Sequence, residues 1–118
     1  MTPTIVEKDG RPVLVLGSPG GPRITTAVLE TLTGILDRKM SPAEAIAAPR
    51  FHHQWLPDTI YYERGGFDRE TVAALTAMGH RVTEQPPWGA VELIAIGADG
   101  GLVGVNDPRR PAGAAKGY

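Results

Sequence analysis

Residues 4–24 read TIVEKDGRPVLVLGSPGGPRI. Apolar residues stand on both sides of Asp9-Gly10. Asp-Gly tolerates the positive φ angles of a type I′ turn, so the stretch predicts a β-hairpin. Its second strand runs through Val13 to Leu16 and ends at Gly17. The loop GSPGG at 17–21 then hands the chain to PRITTAVLETLTGILDR. There Ile24, Val28, Leu32, Ile35 and Leu36 recur at helical spacing with Ala27 beside them, which predicts an amphipathic helix. Hairpin, glycine loop and helix in this order set the first half of the fold.

The rest of the chain follows the same logic. In SPAEAIAAP, Ser41 is the expected N-cap, Pro42 the first helical residue and Glu44 the partner of a capping box. Pro49 ends that short helix, because the residue before a proline avoids the helical region. RFHHQWLPD at 50–58 has no clear period and is expected to be a loop. TIYYE at 59–63 predicts a strand. Asp68 is the expected cap of RETVAALTAM, with Val72, Leu75 and Met78 on one face and Gly79 as the stop. Arg81-Val82 is a short strand leading into a polar loop, TEQPPW. AVELIAIGADGGLVGV at 90–105 predicts a second hairpin turning near Asp99-Gly100, and the tail NDPRRPAGAAKGY is expected to be irregular. The order ββ-αα-β-α-β-ββ with hairpin connections implies an α+β fold, a mostly antiparallel sheet with helices on one face.

Composition narrows the function classes. The chain has 118 residues, enough for the single domain expected over 1–118. Twelve basic and 13 acidic residues leave a net charge of −1, which gives no electrostatic footprint for nucleic acid or an anionic membrane. There is no cysteine, which excludes disulfides, thiolate metal sites and a cysteine nucleophile in this chain. No apolar run reaches the ~18 residues of a membrane span, and no basic-then-apolar leader stands at the start. The 15 glycines and 11 prolines punctuate apolar segments and form no low-complexity tract.

Several residues are candidates for chemistry. The glycine loop precedes a helix N-terminus, where backbone N–H groups lack internal partners and the helix dipole adds positive charge. Glycines let a ligand approach that backbone, so the loop suits a phosphate or a developing oxyanion. The spacing matches neither GxxxxGK[ST] nor GxGxxG, and on spacing alone a tight turn is the favoured reading. His52 and His53 are adjacent, so on an extended segment they face opposite sides, and no HxxxH or HExxH brings a metal set together. Phe51 and Trp55 read as core or interface anchors, since no basic patch accompanies them. NDPRR at 106–110 reads as an Asp/Arg binding pair or as a turn with a local salt bridge. Ser18, Thr25 and Thr26 are hydroxyls without an evident base, the two threonines inside the expected helix. Thr2 is a nucleophile only if Met1 is removed, with its own amine as base.

MTPTIVEKDGRPVLVLGSPGGPRI, MSPAEAIAAPRFHHQWLPD and the ending DPRRPAGAAKGY together resemble the C-terminal part of the small subunit of γ-glutamyltransferases, also called glutathione hydrolases. The likeness runs from residue 1 to 118. It implies part of an N-terminal-nucleophile hydrolase, an αββα sandwich built from two subunits cut from one precursor. Members of that family cleave the γ-glutamyl bond of glutathione through a threonine ester and pass the group to water, an amino acid or a peptide. They are often periplasmic or secreted. The resemblance assigns the oxyanion hole to Gly20 and Gly21. It places the nucleophilic threonine, a substrate-binding serine pair and the large subunit upstream of Met1, so this chain is expected to hold no nucleophile and to be silent alone. It gives His52 and His53 no catalytic role and lowers the case for Thr2. No cofactor or metal is implied. The expected partners are γ-glutamyl substrates and the remaining part of the enzyme. Self-association through an exposed sheet face is the alternative.

Overall fold

The computed structural model describes residues 3–117. Contacts gather into two compact units, one made of residues 1–47 and 89–118 and the other of 48–88.

In the first unit, β1 (Thr4–Lys8) and β2 (Arg11–Gly17) form the expected hairpin. Asp9 and Gly10 have φ of 53° and 73°, as a type I′ turn requires. The register shifts between Val6 and Glu7, where Val13 is an extra, unpaired residue of β2, a β-bulge on that strand. The later hairpin, β6 (Glu92–Ile96) and β7 (Leu102–Val105), pairs antiparallel onto β2, giving the order β1-β2-β6-β7. Its turn closes with the Gly97 N–H donating to the Gly101 carbonyl, 2.8 Å, and the Gly101 N–H to Asp99 Oδ1, 2.9 Å.

Side chains alternate across this sheet. Leu14, Leu16 and Leu93 point to one face and are buried against Ala27 and Val28 of α1 (Arg23–Leu36) and Ile46 of α2 (Pro42–Ala47), with Val91 just before β6. The register puts Ile5, Val15 and Ile94 in one row on the other face, where Ile5 and Ile94 are exposed. Helices therefore cover one face only. Gly34 lets the two helices meet, since a Cβ there would lie 3.1 Å from the Ala45 Cβ. The capping box of α2 forms as the sequence predicts. The Ser41 N–H donates to Glu44 Oε2 at 2.8 Å, and the Glu44 N–H to Ser41 Oγ at 3.3 Å.

The second unit carries β3 (Phe51–His52), β4 (Ile60–Glu63), α3 (Arg69–Ala77) and β5 (Val82–Gln85). Asp68 caps α3 by accepting from the Thr71 N–H at 2.7 Å. Gly79, at φ 94°, ends it in a Schellman turn, the His80 N–H reaching the Leu75 carbonyl. Three sequence expectations need correction here. Residues 51–52 are a strand paired with β4, not loop, because pairing to Tyr61 and Tyr62 supplies the order that a two-residue period cannot reveal. TEQ belongs to β5, which lies parallel to β4, so the second sheet is mixed. Met78 is exposed, and α3 buries no residue. The buried side chains of this unit, Arg50, His52 and Glu63, are all polar.

Candidate functional site

The glycine loop sits where β2 ends and α1 begins. Gly20 and Gly21 are exposed and have φ of 140° and 57°. Both values lie in the range that side-chain-bearing residues avoid, which is why the chain needs glycine twice. Pro22 caps α1 with no side-chain hydrogen bond and has no N–H of its own. The carbonyls of the loop are occupied. That of Gly20 accepts from the Arg23 N–H and that of Gly21 from the Ile24 N–H, each at 3.2 Å. The N–H groups of Gly20 and Gly21 donate to no acceptor among the described residues. Two unspent donors on an exposed loop beside the positive end of a helix make a surface suited to an anion.

Behind the loop lies a buried polar frame. Ser18 is fully buried; its Oγ donates to the Pro19 carbonyl at 2.7 Å and accepts a longer bond, 3.4 Å, from the Ala90 N–H. Next along the chain, the Val91 N–H donates to Asp107 Oδ2 at 2.7 Å. Asp107 Oδ1 accepts from the Arg109 N–H at 2.9 Å and from Arg109 Nη1 at 3.2 Å, and that Nη1 also donates to the Ile46 carbonyl at 2.8 Å. The NDPRR segment is thus the turn with a local salt bridge that the sequence allowed, the Arg110 N–H closing it on the Asp107 carbonyl at 2.9 Å, and not an open binding pair; what the sequence did not show is that the pair is buried. It is a buried clamp joining the tail, the start of β6 and the end of α2. Its sequence signal was an acid two residues from an arginine. The long-range partners leave no sequence trace.

The histidines separate as alternation requires. His52 is buried, and its Nε2 meets Gln54 Oε1 at 3.0 Å. The Gln54 amide nitrogen donates to the Leu56 carbonyl, so its oxygen is the acceptor and the histidine the donor. His53 is more open, with both ring nitrogens engaged. The Trp55 N–H donates to Nδ1 at 3.3 Å, and Nε2 lies 3.1 Å from Asp58 Oδ1. That pattern assigns the proton to Nε2 and leaves no nitrogen available as a base. Trp55 is 75 % exposed and Phe51 45 %, which rules out the core reading of both; Phe51 packs on Phe67 with ring centroids 5.7 Å apart.

A second polar frame, missed by sequence reasoning, holds the unit of residues 48–88. The Glu63 carboxylate accepts the Arg50 and Trp88 N–H groups at 3.2 and 2.9 Å, and Arg50 Nη1 donates to the Trp88 carbonyl at 3.0 Å. Glu63 ends an otherwise ordinary strand motif, so only its burial marks it. Thr25 and Thr26 lie in the first turn of α1, as their sequence position implies. Thr2 falls outside the described residues. No group of three His, Asp or Glu among the described residues could hold a metal, and no helix among them is long and apolar enough to cross a membrane.

A model of the gamma-glutamyltranspeptidase family matches residues 1–117. The glutathione hydrolase proenzyme of Escherichia coli is 47 % identical over 118 residues, covering 100 % of this chain and 20 % of that protein. That of Pseudomonas sp. strain A14 is 41 % identical over 127 residues, with 100 % and 22 % covered. The chain thus spans about a fifth of the length of these relatives. Among solved structures, a point-mutant form of Helicobacter pylori gamma-glutamyltranspeptidase superposes with a TM-score of 0.86 at 42 % identity, over 92 % of this chain and 60 % of that one. The Pseudomonas nitroreducens gamma-glutamyltranspeptidase complexed with L-DON gives 0.85 at 37 %, over 100 % and 61 %. These neighbours bear out the α+β architecture and the N-terminal-nucleophile hydrolase fold expected from the sequence. By sequence and by fold alike, the chain belongs to the gamma-glutamyltranspeptidase family.

Proposed function

We propose that residues 1–118 act as one segment of a γ-glutamyltransferase and contribute its oxyanion-hole loop. In the complete enzyme a threonine outside this chain attacks the γ-glutamyl carbonyl of glutathione or a related compound. The carbonyl carbon becomes tetrahedral and its oxygen takes a negative charge. The N–H groups of Gly20 and Gly21 donate to that oxygen. When the C–N bond breaks, the amine leaves and a γ-glutamyl ester remains, which water, an amino acid or a peptide then cleaves. The observation that carries this reading is that Gly20 and Gly21 are exposed, their N–H groups meet no acceptor among the described residues, and their carbonyls are already held. Donors fixed before the charge develops need no reorganisation at the moment of reaction.

The test removes one donor without touching a side chain. Glycolic acid in place of Gly20, introduced by chemical ligation, turns the N–H into an ester oxygen. In the assembled enzyme, turnover of γ-glutamyl-p-nitroanilide falls about 10²–10³-fold, the loss typical of one oxyanion donor. Unchanged turnover defeats the assignment. The 118-residue chain by itself shows no turnover, because it supplies one electrostatic element and no nucleophile. Measurable hydrolysis by the isolated chain overturns that part.

The exposed row of Ile5 and Ile94 favours a second reading, an interaction module that binds the rest of the enzyme or a second copy through this sheet face. Light scattering decides it. A stable monomer over the micromolar range argues against self-association.

A further inference from the structure

We propose that Ser18 is a positioning residue that aims the Gly20 N–H out of the loop. The proposal rests on the reading of Gly20 and Gly21 as donors to an anion, and it says how the first of them is oriented. A peptide unit is planar and, when trans, carries its C=O and N–H on opposite sides. The Pro19 carbonyl and the Gly20 N–H belong to the same unit, and this bond is not the cis one found at Leu56-Pro57. Ser18 Oγ holds that carbonyl oxygen at 2.7 Å. Fixing the oxygen fixes the plane, so the N–H points away from Ser18.

Without this hold the unit has a second orientation at little cost. Turning the Pro19–Gly20 peptide over changes ψ of Pro19 and φ of Gly20. Glycine accepts either sign of φ, so the backbone itself does not resist. The hydroxyl is what selects one orientation. Ser18 is itself immobilised, being fully buried and receiving the Ala90 N–H. Ala90 adjoins Val91, whose N–H is held by the buried Asp107 carboxylate. The next peptide is aimed differently. Its carbonyl, that of Gly20, accepts from the Arg23 backbone N–H, which sets the Gly21 N–H by the same planarity. One donor is thus oriented by a side chain and the other by the helix. Ser18 is not the nucleophile in this arrangement, since its one proton is already given to Pro19.

The asymmetry makes the proposal testable in the 118-residue chain. Residual dipolar couplings and ¹⁵N order parameters are measured for the Gly20 and Gly21 N–H groups in the wild type, Ser18→Ala and Ser18→Thr. In the wild type both order parameters lie near the rigid value of about 0.85. In Ser18→Ala the Gly20 value falls below about 0.6 and its coupling changes, while Gly21 keeps its wild-type values. Ser18→Thr, which retains the hydroxyl, keeps both. Three results overturn the proposal: an unchanged Gly20 vector in Ser18→Ala, an equal loss at Gly20 and Gly21, or Ser18→Thr behaving like Ser18→Ala. If Ser18→Ala does not fold, Ser18→Cys, a weaker donor of similar size, is read by the same criteria. These measurements need no substrate, so they fail independently of the oxyanion reading, which the Gly20 ester tests.

Discussion

Asp107→Asn tests the clamp behind the glycine loop with a change of one atom. Both carboxylate oxygens of Asp107 face donors only: Val91 N–H on Oδ2, and Arg109 N–H and Nη1 on Oδ1. Asparagine has one acceptor oxygen, so in either amide orientation an NH₂ group meets an N–H. The side chain is fully buried, and no water replaces the lost bond without repacking. Hydrogen bonds to charged groups contribute about 1.5–3 kcal/mol each. Removing one partner of a buried ion pair costs about 3–5 kcal/mol, and the clamp belongs to that class. Against the ~5–15 kcal/mol that holds an ordinary domain together, the variant sits near the edge of folding. For a chain of this size the urea m-value is about 1–3 kcal/mol per molar, so the unfolding midpoint drops by roughly 2 M. Adding Arg109→Met recovers part of the loss, because the buried cation is gone while one of the two backbone N–H groups, that of Val91 or of residue 109, stays unmatched. The assay is urea unfolding of the 118-residue chain followed by circular dichroism. A midpoint within about 0.3 M of wild type, at the error of such extrapolations, refutes the clamp as a stabilising element.

Other positions give separate tests. Gly34→Leu forces the facing helices α1 and α2 apart at the Ala45 contact; overpacking of this kind costs about 1–3 kcal/mol. A double-mutant cycle with Ala45→Gly then shows coupling, and strict additivity of the two Tm shifts counts against the contact. Glu44 has its pKa lowered chiefly by the Ser41 hydroxyl, and Asp68 chiefly by the Thr71 N–H. A folded pKa below the unfolded one gives stability that is present above the unfolded value and lost as pH falls through the folded one. Acidification below the ordinary carboxylate range therefore frays the starts of α2 and α3. Glu44→Gln and Asp68→Asn flatten that acid dependence of helicity, and an unaltered profile contradicts the capping assignment. Gly10→Val puts a β-branched residue at φ 73° in the hairpin turn; the cost is about 1–2 kcal/mol or more. Its readout is a lower Tm, and an unchanged Tm shows that the turn relaxes freely.

Features written in local chemistry are legible in the amino-acid sequence alone. Asp9-Gly10 encodes positive φ twice, Ser41 and Glu44 are three residues apart, and Asp68 stands just before a helical run. Each of these signals acts within one turn of chain, so its partner lies in the same sequence window. The alternation of Leu14 and Leu16 with Val15 likewise shows which face of the hairpin is buried. Where partners are distant, the signal disappears. Phe51-His52 is too short to show a period and becomes a strand only because β4 lies beside it. Nothing near Glu63 announces that it will hold two backbone N–H groups, 13 and 25 residues away.

The candidate site divides along the same line. GSPGG by itself established a permissive backbone just before a helix, which on spacing alone read as a tight turn; the positive φ values of Gly20 and Gly21 came with the structure. Together with the segments around it, the motif also pointed to the family. The tertiary structure decided which peptide groups of the loop are spent and which remain. Ser18 meets Ala90 across 72 residues, and Asp107 meets Val91 across 16. A hydrogen bond depends on where two atoms meet in space, and a sequence read locally carries the first atom without the second.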